Sequence, residues 1–142
     1  MADHGIPNRI RLIVVTRDRK ILETEVDEVV LPGWEGALGI LPGHTPLLAM
    51  LRIGELSYRV GTQVSRLALS WGAAEVLPDR VIVLGEAAYL PEEVDIEQAE
   101  RERVEAEREL ASLASGDEGF LIASAKLEES VAKLKIVERH IS

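Results

Sequence analysis

The side chains that could do chemistry in this 142-residue chain are three histidines and a surplus of carboxylates, with no cysteine among them. Thiol catalysis, disulfides and sulfur-bound metals are thereby excluded, and the redox compartment is left open. His44 follows Leu41-Pro42-Gly43, and with a carboxylate it would be the base of a small hydrolase. No nucleophile stands at a recognisable spacing from it, and a lone histidine in such a turn more often makes a structural hydrogen bond. His4 and His140 lie near opposite ends of the chain with nothing at ligand spacing, so no metal site is expected. Glu92, Glu93 and Asp95 could form a carboxylate pair. They stand just before a helical pattern, however, where capping and the helix dipole account for acidic residues without catalysis.

The elements that must position these groups centre on residues 31–48, LPGWEGALGILPGHTPLL. Its glycines and prolines alternate with Leu38, Ile40, Leu41, Leu47 and Leu48, which is unlike a polar linker. The stretch reads as tight turns folded onto a core, and Pro-Gly at 32–33 and 42–43 suits type II turns. Before it, Arg9 to Val15 alternates with Ile10, Leu12 and Val14 on one face, and Ile21 to Leu31 continues as strand. After it come Glu55 to Val60, Val64 to Trp71, Ala74 to Leu77 and Val81 to Leu84, separated by turn-formers. Short strands at such intervals predict an all-β sandwich or barrel of antiparallel strands over residues 1–90. Trp71, in step with Leu67 and Leu69, is expected in the core, whereas Trp34 suits either an interface or burial.

At Pro91 the period changes. Asp95 is a plausible N-cap, and Ile96 to Leu113 forms a helix with a thin stripe of Ile96, Ala99, Ala106, Leu110 and Leu113. Glu97 with Arg101 and Arg103 with Glu107 are i,i+4 pairs, each worth only ~0.2–0.5 kcal/mol. Ser115, Gly116, Asp117 and Gly119 break the helix, and a second starts near Phe120, with Phe120, Leu127, Leu134 and Ile141 at seven-residue intervals. Residues 91–142 therefore predict an antiparallel α-helical hairpin, held weakly because its first helix offers little to bury. Of the net charge of −9, this last third supplies −7, from 7 basic against 14 acidic residues. So acidic a surface disfavours nucleic acid and anionic lipid, and the apolar run near the N-terminus is too short to span a membrane.

Three blocks in order give these patterns a family likeness. Residues 35–56, EGALGILPGHTPLLAMLRIGEL, the strand pattern Glu75-Val76, Pro78, Val81 and Val83-Leu84, and residues 123–138, ASAKLEESVAKLKIVE, resemble the epsilon subunit of bacterial F-type ATP synthases across the whole chain. The resemblance implies a non-catalytic rotor subunit at the cytoplasmic face of the inner membrane. Its sandwich would bind the gamma subunit and the c-ring, and its helices would reach the alpha and beta subunits of the catalytic head and inhibit ATP hydrolysis. It also implies that Trp34, Glu35, Gly36, Ala37, Leu38 and His44 lie toward the c-ring and gamma. Ala37 stands where the family often has a glutamate, and Ser70-Trp71-Gly72 where it has Ser-Gly-Gly. The family's nucleotide motif is degenerate here, with Asp95 and Ala99 kept and Gln98 in place of arginine, which disfavours regulatory ATP binding and leaves no expected cofactor. The competing reading is a β-sandwich that binds another ligand or protein and oligomerises through its helices.

Overall fold

The computed structural model describes Gly5 and residues 7–141, with the backbone alone described for Ile141; His4 lies outside the described residues. Eight strands run in order: β1 (Ile10–Thr16), β2 (Lys20–Val26), β3 (Glu28–Gly33), β4 (Gly36–Ile40), β5 (Leu47–Leu51), β6 (Gly54–Val60), β7 (Gln63–Val76) and β8 (Arg80–Tyr89). A single 3-10 turn at Pro91–Glu93 leads to two helices, α1 (Ile96–Ser112) and α2 (Glu118–Ile141). The sandwich and the helical hairpin are those expected from the sequence.

Two long strands make the sandwich from one continuous ladder. The C-terminal half of β7 pairs with β5, its N-terminal half pairs with β6, and β8 runs antiparallel along both halves. One sheet is therefore β2-β1-β8-β7-β5, and the other is built on β8-β7-β6-β3-β4. Both strands change their buried face at the crossing. In β7 burial passes from Leu67 and Leu69 to Ala74 and Val76, and in β8 from Val81 and Val83 to Ala88. The change occurs at Trp71, whose φ of 48° is left-handed, and at the facing pair Gly72 and Gly85. A Cβ on Gly72 would stand 2.4 Å from the Leu84 carbonyl oxygen, so the strands could not approach this closely with any side chain there.

Several sequence expectations are corrected in detail. Pairing of β1 with β8 is parallel, not antiparallel, because β8 returns to β1 only after the chain has crossed both layers. The expected run from Ile21 to Leu31 is two strands that break at Asp27, whose carboxylate accepts from the Gly61 N–H at 2.6 Å and the Arg9 Nε at 3.2 Å. The two strands expected at 64–71 and 74–77 are one 14-residue strand, Gln63–Val76. Pro32-Gly33 is strand, and the stretch around it contains β4; only Pro42-Gly43 turns, with Gly43 at φ 85° and the His44 N–H donating to the Leu41 carbonyl.

The core and the hairpin are separate apolar clusters. Ile10, Leu12, Leu31, Leu56, Leu67 and Val83 belong to the sandwich, while Ala132, Ile136 and Val137 of α2 pack on Ala68 of β7, beside Tyr89 and Val94. Among the described residues, Ile136 is the one large side chain of α1 or α2 that is fully buried, and burying one isoleucine is worth about 1.5–3 kcal/mol. Phe120, Leu127 and Leu134 are only half-buried, since the tighter seam runs through Ala123, Ser130 and Val137. Lysines join the helices, with Lys126 at 3.0 Å from Glu105 and Lys133 at 3.8 Å from Glu102. Arg103 pairs with Glu107 at 2.5 Å as expected, and also with Glu100 at 2.7 Å, whereas no ion pair joins Glu97 to Arg101 among the described residues.

Gly72→Ala is expected to lower the stability of the chain by roughly 1–3 kcal/mol, because the new methyl group meets backbone that cannot move aside. Equilibrium urea unfolding of the two proteins measures it.

Candidate partner-docking face

The two outer faces of the sandwich are treated differently. Over β6, the N-terminal half of β7 and the end of β8, the outer face carries Ala68 and Tyr89 and is covered by α2. The Tyr89 hydroxyl donates to Glu129 at 3.2 Å, and Lys133 lies 4.2 Å from the ring centroid. Burial, followed by the charge of Glu129, raises the Tyr89 phenol to about 12. Arg139 of α2 reaches Glu55 at 3.0 Å. Where the 3-10 turn starts the tail, Glu93 accepts from the Leu90 N–H at 3.1 Å and from Arg19 at 2.6 Å, and these bonds, the backbone one first, hold its carboxyl below the usual range.

Nothing in the chain covers the other outer face among the described residues. Cross-strand pairing sets Val15, Leu84, Ala73 and Met50 in one row over four strands, with Ile13, Ile82, Glu75 and Leu48 in the row beside it. Leu48 is 79% exposed, Met50 61% and Leu84 57%. Such a contiguous apolar area is not left bare on a monomer without reason, and marks an interaction surface.

The β3–β4 turn adds to this face. Gly33 and Gly36 close a two-residue loop in which Gly36 takes φ 131°, and the Trp34 N–H donates to the Met50 carbonyl at 3.1 Å. That bond sets the Trp34 indole, 52% exposed, at the edge of β5. Glu35, Gly36 and Ala37 are exposed and Leu38 is half-buried, so the first five site residues expected from the resemblance are brought together around one cleft with Leu48 and Met50. His44 stands apart in the next turn, with its Nδ1 2.7 Å from the Thr45 carbonyl. Asp95 caps α1 by accepting from the Gln98 N–H at 3.1 Å; Gln98 is exposed and Ala99 buried.

Trp71 is the residue that sequence reasoning misplaced. Expected in the core, it is 37% exposed, and its ring lies 5.6 Å from that of Trp34 at an interplanar angle of 41°. Its left-handed backbone, which costs a bulky residue about 1–2 kcal/mol, turns the side chain off the alternation set by Leu67 and Leu69. The available signal was Gly72, which together with the change of apolar parity between Leu69 and Ala74 marks a bend.

A family profile described as ATP synthase, Delta/Epsilon chain, beta-sandwich domain matches residues 9–91. The chain belongs to the ATP synthase epsilon family. It is 44% identical over 131 residues to the ATP synthase epsilon chain of Syntrophobacter fumaroxidans, covering 92% of this chain and 97% of that one. It is 38% identical over 128 residues to the epsilon chain of Geobacter sulfurreducens, covering 90% and 93%. A chain in the mitochondrial ATP synthase of Euglena gracilis, solved as OSCP/F1/c-ring, superposes with a TM-score of 0.78 at 26% identity, over 99% of this chain and 86% of that one. A chain from the central stalk and c-ring of the Tetrahymena thermophila enzyme shares the fold, with a TM-score of 0.57 at 14% identity over 90% and 96%. An epsilon chain is a subunit of the rotary enzyme rather than a catalytic one, which decides against the hydrolase and against the unrelated binding module. None of the described helices is long and apolar enough to cross a membrane.

Trp34→Ala is expected to cost the isolated protein only about 0.5–1.5 kcal/mol, the worth of an aromatic pair at a half-exposed site. Urea unfolding checks the value, and loss of the near-ultraviolet dichroism of the coupled indoles checks the pair.

Proposed function

We propose that the bare face of β1, β8, β7 and β5 seats this epsilon subunit on gamma, with Trp34 to Leu38 at the edge turned toward the polar loops of the c-ring. The observation that carries this reading is the contrast between the two outer faces: one is closed by the chain's own hairpin, the other is apolar and open. The sandwich, residues 1–90, turns with the ring and shaft and stiffens the junction through which torque passes to the head. Its rigidity comes from the two strands shared by both layers. The subunit works as a peripheral protein at the cytoplasmic face of the bacterial inner membrane, with no insertion into lipid and no contact with nucleic acid.

Residues 91–142 are the regulatory part in this reading. Among the described residues, the hairpin rests on Ile136 with Ala132 and Val137, and on a rim of exposed ion pairs, each worth little in water. Such an attachment is weak enough for the helices to leave, extend along gamma between the alpha and beta subunits, and block ATP hydrolysis. The helices carry no nucleotide switch: Asp95 is spent on the helix cap, and Gln98 supplies no charge for a phosphate.

Mixing the purified chain with gamma and following co-elution tests the docking reading, and Met50→Asp, in the middle of the open face, is expected to abolish the complex. Deleting residues 91–142 is expected to leave assembly intact and to raise the ATPase rate of the reconstituted head or leave it unchanged; a fall contradicts an inhibitory hairpin. Calorimetric titration of the isolated protein with Mg-ATP is expected to show no binding at micromolar concentration, and an affinity in that range would overturn the absence of a nucleotide switch.

A further inference from the structure

Trp71 breaks a local rule in a place where compliance would be simple. It is, among the described residues, the non-glycine residue at positive φ, and it is followed by Gly72. A left-handed backbone suits glycine, and a bulky residue there is a genuine outlier that persists only where something holds it. The fold does not need the indole at this point. The ring is 37% exposed and is not among the side chains of the sandwich core. What the ring does instead is extend the open face. It meets Trp34 at 5.6 Å and helps line a cleft of about 490 Å³ with Met50, Ala73, Leu84, Arg17 and Glu86, and with the Gly72 and Gly85 backbone. Backbone strain kept at an exposed aromatic residue points to binding rather than to folding.

We propose that Trp71 is a specificity-determining anchor of the gamma interface, in which its indole, braced by Trp34, receives an aliphatic side chain of gamma in the cleft beside Met50 and Leu84. The inference rests on the docking reading above and deepens it. Apart from Arg17 and Glu86 the cleft is lined by apolar residues and glycines, which fits a leucine, isoleucine or methionine knob. Bracing matters because two rings in contact lose less freedom on binding than one loose ring.

The test compares the full-length chain with Trp71→Gly, Trp71→Asn and Met50→Asp, measuring affinity for purified gamma and the urea midpoint of each free protein. Glycine and asparagine both accept the left-handed backbone. Both Trp71 variants are expected to bind gamma at least tenfold more weakly while their urea midpoints stay level or rise. If both bind as tightly as the parent while Met50→Asp does not bind, the face stands and the anchor is refuted. A lowered midpoint in both Trp71 variants assigns the residue to packing and also overturns the proposal. If Met50→Asp binds normally, the docking reading itself fails, and the anchor with it.

Discussion

The contact between Gly72 and Gly85 sets the geometry of everything else in this molecule. Two long strands pass from one layer of the sandwich to the other, and they can bend together only where neither carries a side chain between them. At that bend the buried parity of both strands reverses. Each layer thus turns one face to the common core, yet the two outer faces that result are chemically unlike. Ala68 and Tyr89 offer a seat for a helix, whereas Leu48, Met50, Ala73 and Leu84 offer an apolar field with no other described residue of the chain on it. The bend thus puts the hairpin and the open apolar face on opposite layers.

Energetic asymmetry follows from the same layout. The sandwich core is a single cluster of large aliphatic side chains closed by ladders on nearly every strand edge. The hairpin shares none of it. Its own seam is made of Ala99, Ala106, Ala123 and Ser130, and its grip on the sandwich comes from Ile136 with small neighbours and charged groups at the rim. Raising salt therefore weakens the ion pairs of the attachment, while the apolar core of the body does not depend on such pairs. A part of a rotary stalk needs a body that does not deform under load, and here that body is independent of the arm packed on it.

Much of this was legible from residue types. Period-two alternation in Ile10, Leu12 and Val14 placed β1, the Asp95 cap placed the start of α1, and the Pro42-Gly43 turn formed as read. What alternation hid was the second apolar face. Ile13 and Val15 in β1, Ile82 and Leu84 in β8, and Leu48 and Met50 in β5 turn short strands into nearly continuous apolar runs, the signature of a strand covered on both sides. Sequence periodicity says which residues share a face but not whether the chain or a partner covers it. Trp71 was misplaced for a different reason: a single left-handed residue inverts the alternation from that point on, and side-chain identity alone favours no such conformation in a tryptophan. Pro32-Gly33 shows the converse, since a dipeptide that suits a turn was held extended by pairing with Gly36 and Ala37.

The account depends on which outer layer meets the shaft, and oxidative footprinting reads that directly because the open face holds a methionine and two tryptophans. Hydroxyl-radical labelling of the free chain and of its complex with gamma should show oxidation at Met50, Trp34 and Trp71 falling sharply on assembly, with Tyr58 and the hairpin's Leu121 and Ile122 changing little. Equal oxidation of Met50 and both tryptophans in the two samples would contradict the account.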